Sequence, residues 1–126
     1  MAWNSFLKNI LGGDDSDDVA TLPDDGSPRN LNLSGRDFKQ QLNDTPRAAL
    51  LDVRTPAEFG SGSIPGARNI DFFAADFGQK ISKLDKDTTY FVFCRSGNRS
   101  AQACKMMHKL GFDVRNLSGG VGSFPG

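Results

Sequence analysis

Two short runs constrain the architecture more than anything else in the chain. AALLDV at 48–53 and TTYFVF at 88–93 are apolar almost throughout, without the polar alternation of a strand that faces water on one side. Strands of this kind need cover on both faces. The segments around them supply it. SGRDFKQQL opens with Ser34 as a helix cap and Asp37 three residues on, a start like a capping box. TPAEF repeats that grammar with Thr55 as cap, Pro56 in the first turn and Glu58 three after the cap. Residues 71–84 predict one or two helical turns broken near Gly78, and residues 100–110 predict a helix ending at Gly111. Short strands are predicted at 31–33, 67–70 and 114–117. Strands separated by helices imply an α/β fold: a parallel sheet with helices on both faces.

The 126 residues leave room for one such domain, at 29–126, plus a tail. Residues 1–11 place Trp3, Phe6, Leu7, Ile10 and Leu11 at helical spacing. Two readings of that amphipathic segment stand: one that is disordered or packs back on the domain, and one that docks a protein partner or a membrane surface. Residues 12–28 carry six Asp and no Lys or Arg among Gly, Ser and Pro, which makes them an acidic flexible linker. The zero net charge therefore hides a basic domain, with 9 acids against 14 bases over residues 29–126, a net of +5. Such a surface attracts anions. Its bases are scattered without interleaved aromatic residues, so no nucleic-acid partner is expected.

Two cysteines and one histidine are too few for a structural zinc site, and no metal is expected. No stretch approaches the length of a transmembrane span, and MAWNSFLKNILGG lacks the features of a secretion signal. A cytoplasmic, reducing setting fits the cysteine usage.

The chemistry is concentrated in YFVFCRSGNRSA, 90–101. In open α/β sheets ligands bind where strands end and the chain turns into the next helix, and Cys94 occupies such an end. A helix starting between Asn98 and Ser100 would direct its amides and its positive dipole end at the sulfur. With Arg95 and Arg99 close by, the thiol should ionise more readily than free cysteine and become a nucleophile for an anionic substrate. Gly97 marks an unusual backbone angle. Cys104 shares helical spacing with Ala101, Met107 and Leu110 and reads as core. The sole histidine, His108, lies about 15 Å along the helix from the cysteine by helical rise, which rules out a Cys-His dyad. It reads as a surface residue near a helix C-terminus. Asp52 and Arg54 end the preceding apolar run; they either brace the cysteine loop or form an ion pair that caps the sheet edge.

CRSGNRS resembles the active-site loop of the rhodanese (sulfurtransferase) family, and LLDVRTPAEF, GSIPGARNI and NLSGGVGSF resemble its other signatures in the same order, over residues 30–124. The resemblance implies a rhodanese-like three-layer fold with a five-stranded parallel sheet. It implies that Cys94 takes sulfane sulfur as a persulfide from thiosulfate or a persulfide donor and passes it to cyanide or a thiol, with no cofactor. On that match the amides of Arg95, Ser96, Gly97, Asn98, Arg99 and Ser100 cradle the persulfide, and Arg95 and Arg99 face the sulfonate end of a donor. Pro65 and Gly66 would shape a turn bordering the pocket. Related cysteine phosphatases place five residues between Cys and Arg, whereas four separate Cys94 from Arg99, a ring better sized for one sulfur. A different class of function is a non-turnover sulfur carrier or protein-interaction module on the same fold, suggested by the tethered N-terminal segment. The sequence departs from the family at Ser63, where His is frequent, and at Phe124, where Trp and a further helix are frequent. Those departures predict a pocket wall with one hydrogen-bonding group fewer and a less covered sheet face.

Overall fold

A computed structural model describes residues 31–126; the amphipathic segment read at 1–11, the linker at 12–28 and the first two residues of the predicted domain lie outside the described residues. Five parallel strands form one sheet in the order β1-β5-β4-β2-β3. They are β1 (Asn32–Leu33), β2 (Ala48–Asp52), β3 (Arg68–Asn69), β4 (Thr89–Phe93) and β5 (Asp113–Leu117). The apolar run of β4 lies at the centre, paired with β2 from Ala48↔Thr89 to Asp52↔Phe93 and with β5 from Thr89↔Asp113 to Val92↔Asn116.

Side chains alternate across the sheet and divide the core in two. On one face, Leu51, Val53, Tyr90, Val92 and Val114 pack against α3 (Phe77–Ser82) and α4 (Asn98–Lys109) through Phe77, Ile81, Ala103, Cys104 and Met107. On the other, Leu50, Phe91, Phe93 and Leu117 pack against Phe38 of α1 (Gly35–Asp44). Phe38 meets Phe91 and Phe124 edge to face, with centroids 5.4 and 6.1 Å apart. Phe124 thus closes this face where a larger Trp is frequent in the family. The sheet is covered on both sides, as its continuous apolar strands require.

The predicted caps form. The Asp37 amide donates to Ser34 Oγ at 3.2 Å and starts α1. At α2 (Pro56–Gly60) the Thr55 hydroxyl and the Glu58 carboxylate complete a reciprocal capping box. One expectation is corrected: α3 runs through Gly78 and does not break there. Its flanking Phe77 and Ile81 are buried, and that burial outweighs a glycine cost of about 1 kcal/mol. Gly111, at φ 94°, ends α4 as expected. Among the described residues no helix is long and apolar enough to cross a membrane.

Candidate active site

The carboxyl edge of the central strand leads directly into the cysteine. Cys94 follows β4, and residues 95–97 form a tight loop before α4 begins at Asn98. Gly97 sits at φ 99°, and a Cβ there would lie 2.2 Å from the Ser118 carbonyl oxygen, so both space and backbone angle require glycine. A second glycine fits the same loop from the other side. Gly120, at φ 78°, approaches the Arg95 carbonyl so closely that a Cβ would sit 1.9 Å from that oxygen. The Val121 amide donates to the Cys94 carbonyl at 2.8 Å and fastens the two segments together. From beneath, buried Asn116 of β5 bonds the Asn32 side chain at 2.8 Å and reaches the Gly97 carbonyl at 3.5 Å.

This scaffold aims donors at one atom. Cys94 Sγ accepts from the Gly97 amide at 3.1 Å, the Ser100 amide at 3.4 Å and the Ser100 hydroxyl at 3.3 Å. Burial alone would push the thiol up, but the Ser100 hydroxyl and the amides of Ser100, Gly97 and Ser96 outweigh it and hold the thiol below its ordinary value. The direction matches the expectation from sequence, and so does the part played by the loop amides. Hydrogen bonds lead among the groups that lower this thiol, and Arg99 adds an electrostatic interaction with it. Three of the six loop amides, those of Ser96, Gly97 and Ser100, act on the sulfur.

The arginines have other partners. Arg99 donates from both terminal nitrogens to Glu58, at 2.8 and 3.2 Å, and stacks over Phe73 with its guanidinium carbon 5.4 Å from the ring centroid. Glu58 also accepts from the Thr55 amide and hydroxyl, at 3.0 and 3.1 Å. Arg99 first, and then the Thr55 amide, draw the Glu58 carboxyl down to about 2. The capping residue of α2 is therefore also the counterion of the cysteine loop. Arg95 is exposed and enters no ion pair among the described residues.

Asp52 and Arg54 are buried at the edge of β2 and pair with each other. Arg54 reaches Asp52 through Nε and NH2, and gives NH2 to the Gly62 carbonyl at 2.6 Å. Ser63, expected to leave the pocket wall short of a bonding group, donates its hydroxyl to Asp52 Oδ2 at 2.8 Å. Pro65 of the SIPGA turn lines a groove together with Arg54, Val121 and Phe124. The pair thus braces the sheet edge and the Gly62 turn, and makes no bond to the cysteine loop.

Cys104 is buried in the core, and that burial pushes its thiol far up. Both cysteines are free. His108 is half-buried and occupies the last turn of α4, near the helix C-terminus as expected. Sequence reasoning missed the Glu58–Arg99 pair, the Asn116 brace and the fit of Gly120. Only Gly120 left a local signal, as half of a Gly-Gly pair in NLSGGVGSF.

The comparisons agree with this geometry. The rhodanese-like domain pattern matches residues 34–124. A protein named sulfurtransferase from Allochromatium vinosum is 37% identical over 90 residues, covering 71% of this chain and 82% of that one. YtwF of Bacillus subtilis is 35% identical over 94 residues, covering 75% and 89%. Among solved structures, a rhodanese-related protein from Thermoplasma volcanium superposes with a TM-score of 0.64 at 29% identity, covering 75% of this chain and 94% of that one. With a cysteine loop at the end of a central parallel strand and a family match spanning nearly all the described residues, the chain belongs to the rhodanese-like sulfurtransferase family.

Proposed function

We propose that the chain moves sulfane sulfur from a donor, thiosulfate or a persulfide, to cyanide or a thiol through a persulfide on Cys94. The observation that carries this reading is the convergence of the Gly97 amide, the Ser100 amide and the Ser100 hydroxyl on Cys94 Sγ. Donors so placed stabilise a negative sulfur at low cost, because the backbone fixes them before any substrate arrives. In the first half-reaction the Cys94 thiolate attacks the outer sulfur of the donor. The new S–S bond forms as the old one breaks, and sulfite leaves with the bonding pair when thiosulfate is the donor. In the second, cyanide or a thiolate attacks the outer sulfur of the persulfide and restores the Cys94 thiolate. Neither step calls for a metal or an organic cofactor, since sulfur itself carries the electron pairs.

Cys94 has no exposed surface, whereas Arg95 and Ser96 of the loop that follows it are exposed. A reducing compartment such as the cytosol suits the mechanism, because the nucleophile must remain an unoxidised thiol. Incubation with thiosulfate or an organic persulfide, followed by intact-mass measurement, should show a gain of one sulfur atom that is absent in Cys94→Ser. No gain with any sulfane donor would overturn the reading.

A further inference from the structure

The charges around Cys94 cancel in pairs, and that balance bears on which donor fits. Arg54 is engaged by Asp52, and Arg99 by Glu58. Arg99 gives both terminal nitrogens to a carboxylate that itself accepts four hydrogen bonds from Thr55 and Arg99, whereas Arg54 bonds through Nε and one terminal nitrogen. Of the loop's cations only Arg95 is left without a carboxylate partner among the described residues, and it stands in solvent, where its charge is screened. A thiosulfate dianion presents three oxygens that need charged donors. The site offers them one exposed cation.

The other side of the rim is aromatic. Phe73 is 67% exposed, packs edge-on against Phe72 at 5.8 Å, and carries the Arg99 guanidinium on its face. Arg99 opens the first turn of α4, five residues after Cys94, so this ring lies beside the arginine of the cysteine loop. An exposed phenylalanine beside a neutralised arginine favours an organic group over a sulfonate.

We propose, on the basis of the sulfur-transfer reading above, that the donor is an organic persulfide, R–S–SH, whose R group lies on Phe73, and that Glu58 sets this preference by neutralising Arg99. The Cys94 thiolate attacks the outer sulfur, forming Cys94–S–S. The R–S bond to that sulfur breaks with its electron pair on R–S, and the proton of the outer sulfur passes to it. The products are R–SH and a Cys94 persulfide anion held by Gly97 and Ser100. One sulfane sulfur changes owner and nothing is oxidised or reduced overall.

The test is the second-order rate constant for sulfur loading on the full chain, followed by quenched intact-mass measurement. The two probes are thiosulfate and benzyl persulfide generated in situ from a masked precursor. Benzyl persulfide should load about 100-fold faster than thiosulfate. Glu58→Gln, which keeps a capping side chain at the same helix position, should narrow that ratio about tenfold by accelerating thiosulfate as Arg99 is released. Phe73→Ala changes an exposed side chain without threatening the fold, and should narrow the ratio about fivefold from the persulfide side. Thiosulfate loading as fast as benzyl persulfide, or a ratio unmoved by either substitution, overturns the donor assignment while leaving the Cys94 persulfide intact. Loading by neither probe overturns the sulfur-transfer reading, and this inference with it.

Discussion

Cys94 and Cys104 lie ten residues apart, both have no exposed surface, and both belong to the same apolar cluster, yet their thiols are driven in opposite directions. Burial is common to the two and raises both. What differs is the supply of hydrogen-bond donors. Cys104 sits inside α4, where the neighbouring amides are consumed by the helix ladder. Cys94 precedes α4, and the first amides of a helix have no carbonyl to bond within it. Gly97 and Ser100 therefore offer donors that cost the fold nothing and that the sulfur accepts. A position four residues before the start of a helix and one within it are chemically different places for the same side chain.

Alkylation should expose that difference most strongly. At neutral pH in native buffer, iodoacetamide should modify Cys94 about 1,000-fold faster than Cys104, read by peptide mass spectrometry, because one site opens with a loop and the other with the core. Comparable rates would break the contrast. Gly97→Ala should move Cys94 toward the behaviour of its neighbour. The added Cβ meets the Ser118 carbonyl at 2.2 Å in a backbone region that L residues avoid, and urea unfolding should register a loss of about 2–3 kcal/mol. The Gly97 amide then leaves the sulfur, and the alkylation rate should take on the pH dependence of a less acidic thiol. Unchanged stability and an unchanged profile would show that this close approach is not what shapes the loop.

Much of this arrangement was legible because it is local. Ser34 and Thr55 announce their helices within four residues, and the apolar run of β4 ends at the cysteine without help from distant chain. The active loop could be named for the same reason. Its electrostatics could not, because Arg99 finds Glu58 across 41 residues of sequence, and counting arginines near a cysteine does not reveal which of them are already paired. Glu58 was legible as a cap and illegible as a counterion, although one carboxylate performs both tasks. Gly78 misled in the opposite sense. Its low helix propensity is a property of one residue, whereas the burial of Phe77 and Ile81 against the sheet is a property of the packed domain. Asn116 gave no signal at all, since a polar residue in a strand becomes a brace only once β1 and the Gly97 carbonyl are beside it.

The finest test separates hydroxyl from guanidinium. If hydrogen-bond donors more than arginines keep Cys94 acidic, Ser100→Ala should raise its thiol by about one pKa unit, the worth of one hydrogen bond to a charged acceptor. Arg95→Gln should raise it several-fold less, since that charge stands in solvent. The alkylation rate of Ser100→Ala should fall about tenfold below the inflection and rejoin that of the unaltered chain above it. Stability should follow with a fixed sign. A thiol lowered by folding contributes stability that is present above the unfolded value and is lost as pH falls through the folded one. The stability gap between the unaltered chain and Ser100→Ala should therefore widen from pH 6 to pH 9, by about 1 kcal/mol, as thiolate accumulates and the missing hydroxyl begins to matter. A gap that is constant with pH would mean that Ser100 only packs, and that something other than its hydroxyl separates the two cysteines.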